Sequence, residues 1–197
     1  MKKDDASGKL TDALGDIADI ASEAIGLMPV VGPILKLARL GGSIPDRLFL
    51  RKSEKFFGEL DKATKKEVES FFRILEHEEK LAEFGHNVLF LIDRMDDLEK
   101  PVIVGRIFRA AIEKKLHLET AKRIAALVSG VYSEDIKALP DFTHGSKGSD
   151  PDVASSLASA GFLRNIAEDW GDELEGGSIT YSLNRYGSDL VKFGLNP

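Results

Sequence analysis

At the amino-terminal end of the chain, apolar residues recur at alternating steps of four and three: Leu10, Leu14, Ile17, Ala21, Ala24 and Met28, with Asp12, Asp16, Asp19 and Glu23 between them. That period marks a helix with one apolar stripe. Gly26 and Pro29 weaken its end. Gly32-Pro33 then breaks the chain before Ile34, Leu35, Leu37, Ala38 and Leu40 resume a shorter helix that carries Lys36 and Arg39. Gly41-Gly42 closes it. Residues 10–42 are therefore expected to form a hydrophobic helical hairpin. Its residues Leu14, Ile17, Leu27, Met28, Val30, Val31, Ile34, Leu35 and Leu37 need a partner, which is either the rest of the chain, a membrane or another protein.

The helical period continues. Ser43-Ile44-Pro45-Asp46 reads as a new helix start, and RLFLRKSEKFFGEL follows at helical spacing, with Phe49, Phe56, Phe57 and Leu60 assigned to the core. Thr64-Lys65-Lys66-Glu67 has the form of a capping box and opens a helix expected to run through Val68, Phe71, Phe72 and Leu75 to Leu81 and Phe84. Gly85-His86 precedes a buried helix carrying Val88, Leu89, Leu91, Ile92 and Met95, which meets a turn at Asp96-Asp97. Asp97 is expected to cap the next helix, where Pro101 is tolerated in the first turn and the basic pair Lys114-Lys115 suits the carboxyl end. Further helices are expected from Leu118 to Tyr132 and from Ser133-Glu134-Asp135.

The pattern changes after THGSKGSDPD, residues 143–152, which reads as a linker. Asp152 to Leu163 reads as a helix closing at Gly161. ITYSLN at 179–184 alternates apolar and polar residues as a strand does, Arg164 to Ile166 is its expected partner, and Arg185 to Phe193 forms a last helix. Helix, strand, acidic loop, strand, helix resembles the second half of a winged-helix module. The expected fold is thus mainly α: a multi-helix bundle with an amino-terminal hydrophobic hairpin and a small carboxy-terminal winged-helix-like α+β module. The expected divisions are 1–42 for the hairpin, 43–142 for the bundle, 143–152 for the linker and 153–197 for the module.

Composition adds two exclusions. With no cysteine there is no disulfide, thiolate zinc site or cysteine nucleophile, and a reducing cytoplasm is the compatible compartment. MKKDDASGKL follows its lysines with Asp4 and Asp5 rather than an apolar run, so it does not read as a secretory signal. The net charge of −6 is concentrated late: residues 144–197 hold four basic and eight acidic groups, whereas residues 51–143 hold seventeen and eighteen. That balance opposes binding of nucleic acid by the carboxy-terminal part.

The hairpin is the sharpest functional feature. Ala24 to Leu35 is twelve residues without a charge, yet a constitutive span needs ~20 apolar residues and tolerates charges poorly. Four acidic groups in the first helix and two basic groups in the second argue instead for a segment packed at rest and able to engage an interface conditionally. The carboxylates Asp93, Asp96, Asp97 and Glu99 lie at a helix junction, and helix capping or pairing with Arg94 and Arg106 is expected of them rather than metal or acid–base chemistry. His77-Glu78 opens a zincin-like motif, but Leu81 stands where its second histidine belongs. GGSITYSLN lacks the glycine pattern of a phosphate loop. Neither a metal nor another cofactor nor a small-molecule substrate is expected. Within the module there is no Lys or Arg between Asp152 and Leu163, where a recognition helix would lie. Trp170, the only tryptophan, stands in the acidic AEDWGDELEGG and is a candidate protein-contact anchor.

IPDRLFLRK at 44–52, FLIDRMDDLEKPVIVGRIFRAAIEK at 90–114, LASAGFLRN and ITYSLNRYGSDLVKFGL together are similar to small bacterial proteins that accompany phage-defence and abortive-infection genes. Leu-Ile-Asp-Arg-Met-Asp-Asp and the ending Tyr-x-Leu-x-x-Tyr-Gly carry the resemblance. It brings no catalytic residues and implies a non-enzymatic effector or regulator. The expectation is a cytoplasmic binding protein, able to sit peripherally at the inner face of the membrane, that acts through its hairpin on a membrane or protein partner or associates with itself. The alternative is a transcriptional regulator that contacts nucleic acid through the winged-helix-like module.

Overall fold

The computed structural model describes residues 47–77, 80–144, 150–166 and 180–196. The expected hairpin, with Leu14, Ile17, Leu27, Met28, Val30, Val31, Ile34, Leu35 and Leu37, lies outside the described residues, as does Trp170. The described residues are mainly helical with one two-stranded antiparallel sheet. They fall into two compact units, one ending at Arg94 and one beginning at Met95.

The described residues of the first unit form three helices, α1 (Arg47–Leu60), α2 (Lys65–His77) and α3 (Leu81–Arg94). Each turns one stripe inward: Phe56 and Leu60 from α1, Val68, Phe71, Phe72 and Leu75 from α2, and Phe84, Val88 and Ile92 from α3 are all buried. Phe49 and Phe57, assigned to the core from spacing, are only half-buried. The capping box forms as expected: Glu67 Oε2 accepts from the Thr64 amide at 2.9 Å and from its hydroxyl at 2.6 Å, and the Glu67 amide reaches Thr64 Oγ1 at 3.4 Å. Thr64→Ala is expected to destabilise this unit by about 1 kcal/mol, read as faster hydrogen exchange at the Val68 amide, which donates to the Thr64 carbonyl. Unchanged exchange there would show that the cap contributes nothing.

Boundaries differ from the sequence reading, most of all in this unit, and also beyond residue 150, where the helix expected to reach Leu163 stops at Ser159 and Leu163 opens a strand paired across the sheet. The expected single helix from Thr64 to Phe84 is two: α2 stops at His77, and α3 begins at Leu81 and runs straight through Gly85 and His86. The Lys80 amide closes the reversal on the Leu75 carbonyl at 2.9 Å. The reason is packing. Only a reversal returns Phe84 to Phe71 and Phe72, whose rings it meets edge-on at 5.6 and 6.5 Å between centroids, the orientation the ring quadrupoles favour. Gly85 is buried within α3 rather than ending a helix.

The second unit is built around α4 (Lys100–Ile112), which is apolar on nearly every side and buries Ile103, Val104, Ile107, Phe108, Ala110, Ala111 and Ile112. It ends on Lys114, in the left-handed conformation at φ 61° usually left to glycine, with the Lys115 amide folding back to the Ala110 carbonyl at 2.8 Å. Against α4 packs α5 (Leu118–Ser129), through the buried residues Ala121, Ile124, Ala125 and Val128. The short α6 (Ser133–Lys137) and a 3₁₀ turn (Leu139–Phe142) add Ile136, Leu139 and Phe142 to the core. Then come α7 (Pro151–Ser159), strands β1 (Leu163–Ile166) and β2 (Thr180–Leu183), α8 (Arg185–Leu190) and a π turn over Val191–Leu195. The strands pair with Leu163 opposite Leu183 and Ile166 opposite Thr180. The π turn lies on α4, where Gly194 approaches Ile103 and Ile107 and its carbonyl accepts from Arg106 Nη1 at 3.1 Å.

Candidate interaction site

Two places gather the chemistry of the second unit: the junction that opens α4 and the module from α7 to α8. At the junction, Asp97 Oδ1 accepts from the amides of Glu99 and Lys100 at 2.8 and 2.9 Å, filling the open donors of the first turn of α4 as expected of a cap. Its other oxygen accepts from the Ser133 hydroxyl at the start of α6. Desolvation pushes the Asp97 carboxyl up, but the bonds from Ser133, Lys100 and Glu99 and the charge of Lys100 outweigh it and hold Asp97 below the usual carboxylate range. Lys100, only 1% exposed, donates to Asp96 Oδ1 at 2.6 Å. Lys137 pairs with both Glu99 and Glu134, at 2.9 and 2.8 Å, and those hydrogen bonds raise its ammonium above the ordinary lysine range.

These carboxylates therefore cap and pair, and their partners are Lys100, Lys137, Ser133 and backbone amides. Arg94, expected among the partners, lies over the Phe90 ring at 5.4 Å, and Asp93 contributes its backbone carbonyl, which accepts from the buried Lys52 at 3.2 Å. Among the described residues no group of three His, Asp or Glu could hold a metal ion, and His77, His86, His117 and His144 are all exposed. No described helix is long and apolar enough to cross a membrane.

The module is assembled by small polar side chains at its turns. Asp150 caps α7, accepting from the Asp152 amide at 2.9 Å. Ser156 on α7 donates to Asp135 on α6 at 2.6 Å. Gly161, at φ 89°, turns the chain from α7 into β1, and Asn184 reads that turn from the far side: its Nδ2 donates to the Gly161 carbonyl at 2.7 Å while its Oδ1 caps α8 at the Gly187 amide, 3.0 Å away. Ala154, Leu157, Phe162, Leu163 and Leu190 are buried beneath these contacts. The outer side of α7 presents Pro151, Asp152, Ser155 and Ser159. On the hairpin, exposed Arg164 spends its Nε on Ser182 Oγ at 3.2 Å, across the strand pair.

Spacing alone does not single out Lys100, Ser156 or Asn184, and it marks Ser133 only as a helix start. A signal existed for Asn184, since an asparagine three residues before an amide it can reach marks a helix start. Comparison of the chain with protein-family models, with curated proteins and with solved structures finds no match.

Proposed function

We propose that this chain is a non-enzymatic bacterial binding protein of the phage-defence, abortive-infection type. Its apolar segment 10–42 is the switchable element that engages a membrane surface or protein partner, and its carboxy-terminal module, winged-helix-like in the order of its elements, is a protein-contact unit. The observation that carries this reading is the surface of α7. In a DNA-reading winged helix the corresponding helix supplies cations to phosphates and donors to base edges, whereas α7 offers Pro151, Asp152, Ser155 and Ser159. The first basic side chain after it in sequence, Arg164, is bonded to Ser182. For the amino-terminal segment, twelve uncharged residues from Ala24 to Leu35 motivate the role.

Flotation with anionic vesicles, run beside a gel shift with duplex DNA at low salt, tests the reading. The full chain is expected to float with vesicles, or to capture a protein partner, and to lose this on deletion of residues 1–42, while shifting no DNA. A salt-dependent DNA shift would replace the reading by a nucleic-acid regulator, because phosphate contacts are released steeply by salt. Vesicle or partner binding that survives the deletion would remove the role of residues 10–42.

A further inference from the structure

Helix α3 carries a second stripe, facing away from the core of its own unit. Glu83, Asn87, Phe90 and Arg94 follow one another at steps of four, three and four, and all four are exposed. At 3.6 residues per turn they fall within about 60° of one another, and their mean direction is about 130° round the helix from that of Phe84, Val88 and Ile92. Those steps are the seam spacing of a two-helix coiled coil. Among the described residues of the first unit Phe90 is the most solvent-exposed large apolar side chain, at 61%, and Arg94 lies against its ring. An aromatic held open in the middle of a helix-packing seam is the kind of residue that anchors an interface.

We infer that this stripe is a self-association surface: α3 packs antiparallel on α3 of a second copy. The order of charges selects that partner. The stripe has its acid at one end and its base at the other, so an antiparallel copy sets Glu83 against the partner's Arg94, Asn87 against the partner's Phe90, and the same pairs again in reverse. Each end layer is an ion pair and the two middle layers enclose the phenylalanines, which satisfies the two-fold rule that a surface complement itself. The chain's own apolar segment is a poorer occupant. Leu10, Leu14, Ile17, Ala21 and Ala24 have the right steps but would cover Glu83 and Arg94 with nothing to pair them, and covering a charge without a partner is costly. A parallel copy would set Glu83 against Glu83. The contact is short, since a helix of 14 residues is about 21 Å long. It buries less than the roughly 800 Å² per partner of a stable complex, so the association is weak and concentration-dependent.

Sedimentation equilibrium of the full chain over a wide concentration range tests this. The expected result is a reversible monomer–dimer equilibrium, weakened tenfold or more by Phe90→Asp and by Arg94→Glu, and recovered in the double variant Glu83→Arg/Arg94→Glu, in which every pair is reversed but intact. Because all the substituted residues are exposed, circular dichroism of each variant should match the parent. A chain that stays monomeric into the high micromolar range overturns the proposal, and so does a dimer that Phe90→Asp leaves unchanged or that the charge reversal fails to restore. A dimer that persists in these variants but is lost on deleting residues 1–42 would assign self-association to that segment instead.

Discussion

Replacing Gly187 by alanine is expected to destabilise the second unit by about 3 kcal/mol, at the upper end of what an overpacked methyl costs. A β-carbon there would stand 2.3 Å from the Phe162 carbonyl oxygen and 3.0 Å from Leu183 Cδ2. Leu183 can rotate aside, but the carbonyl cannot. It is backbone at the entrance to β1 and already accepts from the Asn184 amide at 3.0 Å, while Asn184 also bonds Gly161 and caps α8. The methyl must therefore separate α8 from β1 and break that set of bonds together. Gly194→Ala makes the contrast: its closest neighbour is Leu190 Cδ1 at 2.7 Å, the far end of a side chain that can shift, while Ile103 Cγ2 at 3.1 Å is stiffer but has to give by only a few tenths of an ångström. Urea unfolding followed by circular dichroism should place the Gly187 variant well below the Gly194 variant. Equal midpoints would mean that the close approach at Gly187 is not a constraint.

The second large effect is expected at Asp97. Asp97→Ala removes the acceptor for two helix-opening amides and for Ser133 at once, and is expected to cost about 2 kcal/mol, since bonds to a charged acceptor contribute roughly 1.5–3 kcal/mol when buried and less where solvent competes. The same carboxylate gives a pH signature. Its folded-state pKa is lowered below the ordinary value of 3.8, so the unfolded chain takes up the proton first on acidification. The contribution of Asp97 is fully present above the unfolded value and is lost as the pH falls through the lower, folded one. Parent and alanine variant should therefore differ in stability by a constant amount near neutrality and converge only in strong acid. A difference that closes at or above pH 5 would assign the stabilisation to some other group.

What the sequence made legible was local. The Thr64–Glu67 box, the Asp97 cap, the turn at Gly161 and the pairing of Arg164–Ile166 with the strand expected at 179–184 each depend on residues a few positions apart or on a period of two, and each is found in the structure, the strands running 163–166 and 180–183. What it hid depends on distant partners. The break between His77 and Leu81 has no glycine or proline to announce it and arises because Phe84 must return to Phe71 and Phe72. Nothing in the local pattern marks Lys52 and Lys100 for burial, yet both are buried, one on the Asp93 carbonyl and the other on Asp96. Gly187 stood in the Tyr181-x-Leu183-x-x-Tyr186-Gly187 ending as a signature, and only the approach of Phe162 gives it a physical cause. Of the candidate site, α7 is described, and its outer side carries no cation, as its sequence implied.

The π turn at Val191–Leu195 lies against α4, a helix made some ninety residues earlier in the chain. During synthesis α4 leaves the ribosome with Ile103 and Ile107 uncovered, and it must wait for the last turn of the second unit before that side closes. At ~5–20 residues per second, the interval is several seconds or more. Helices α1–α3, the described part of the first unit, follow one another directly in the chain and have no such delay among themselves. Translation thus sets an order in which the α1–α3 unit can be complete while α4 is still exposed, and a chain interrupted shortly before residue 191 would leave that surface uncovered for chaperones and proteases to find.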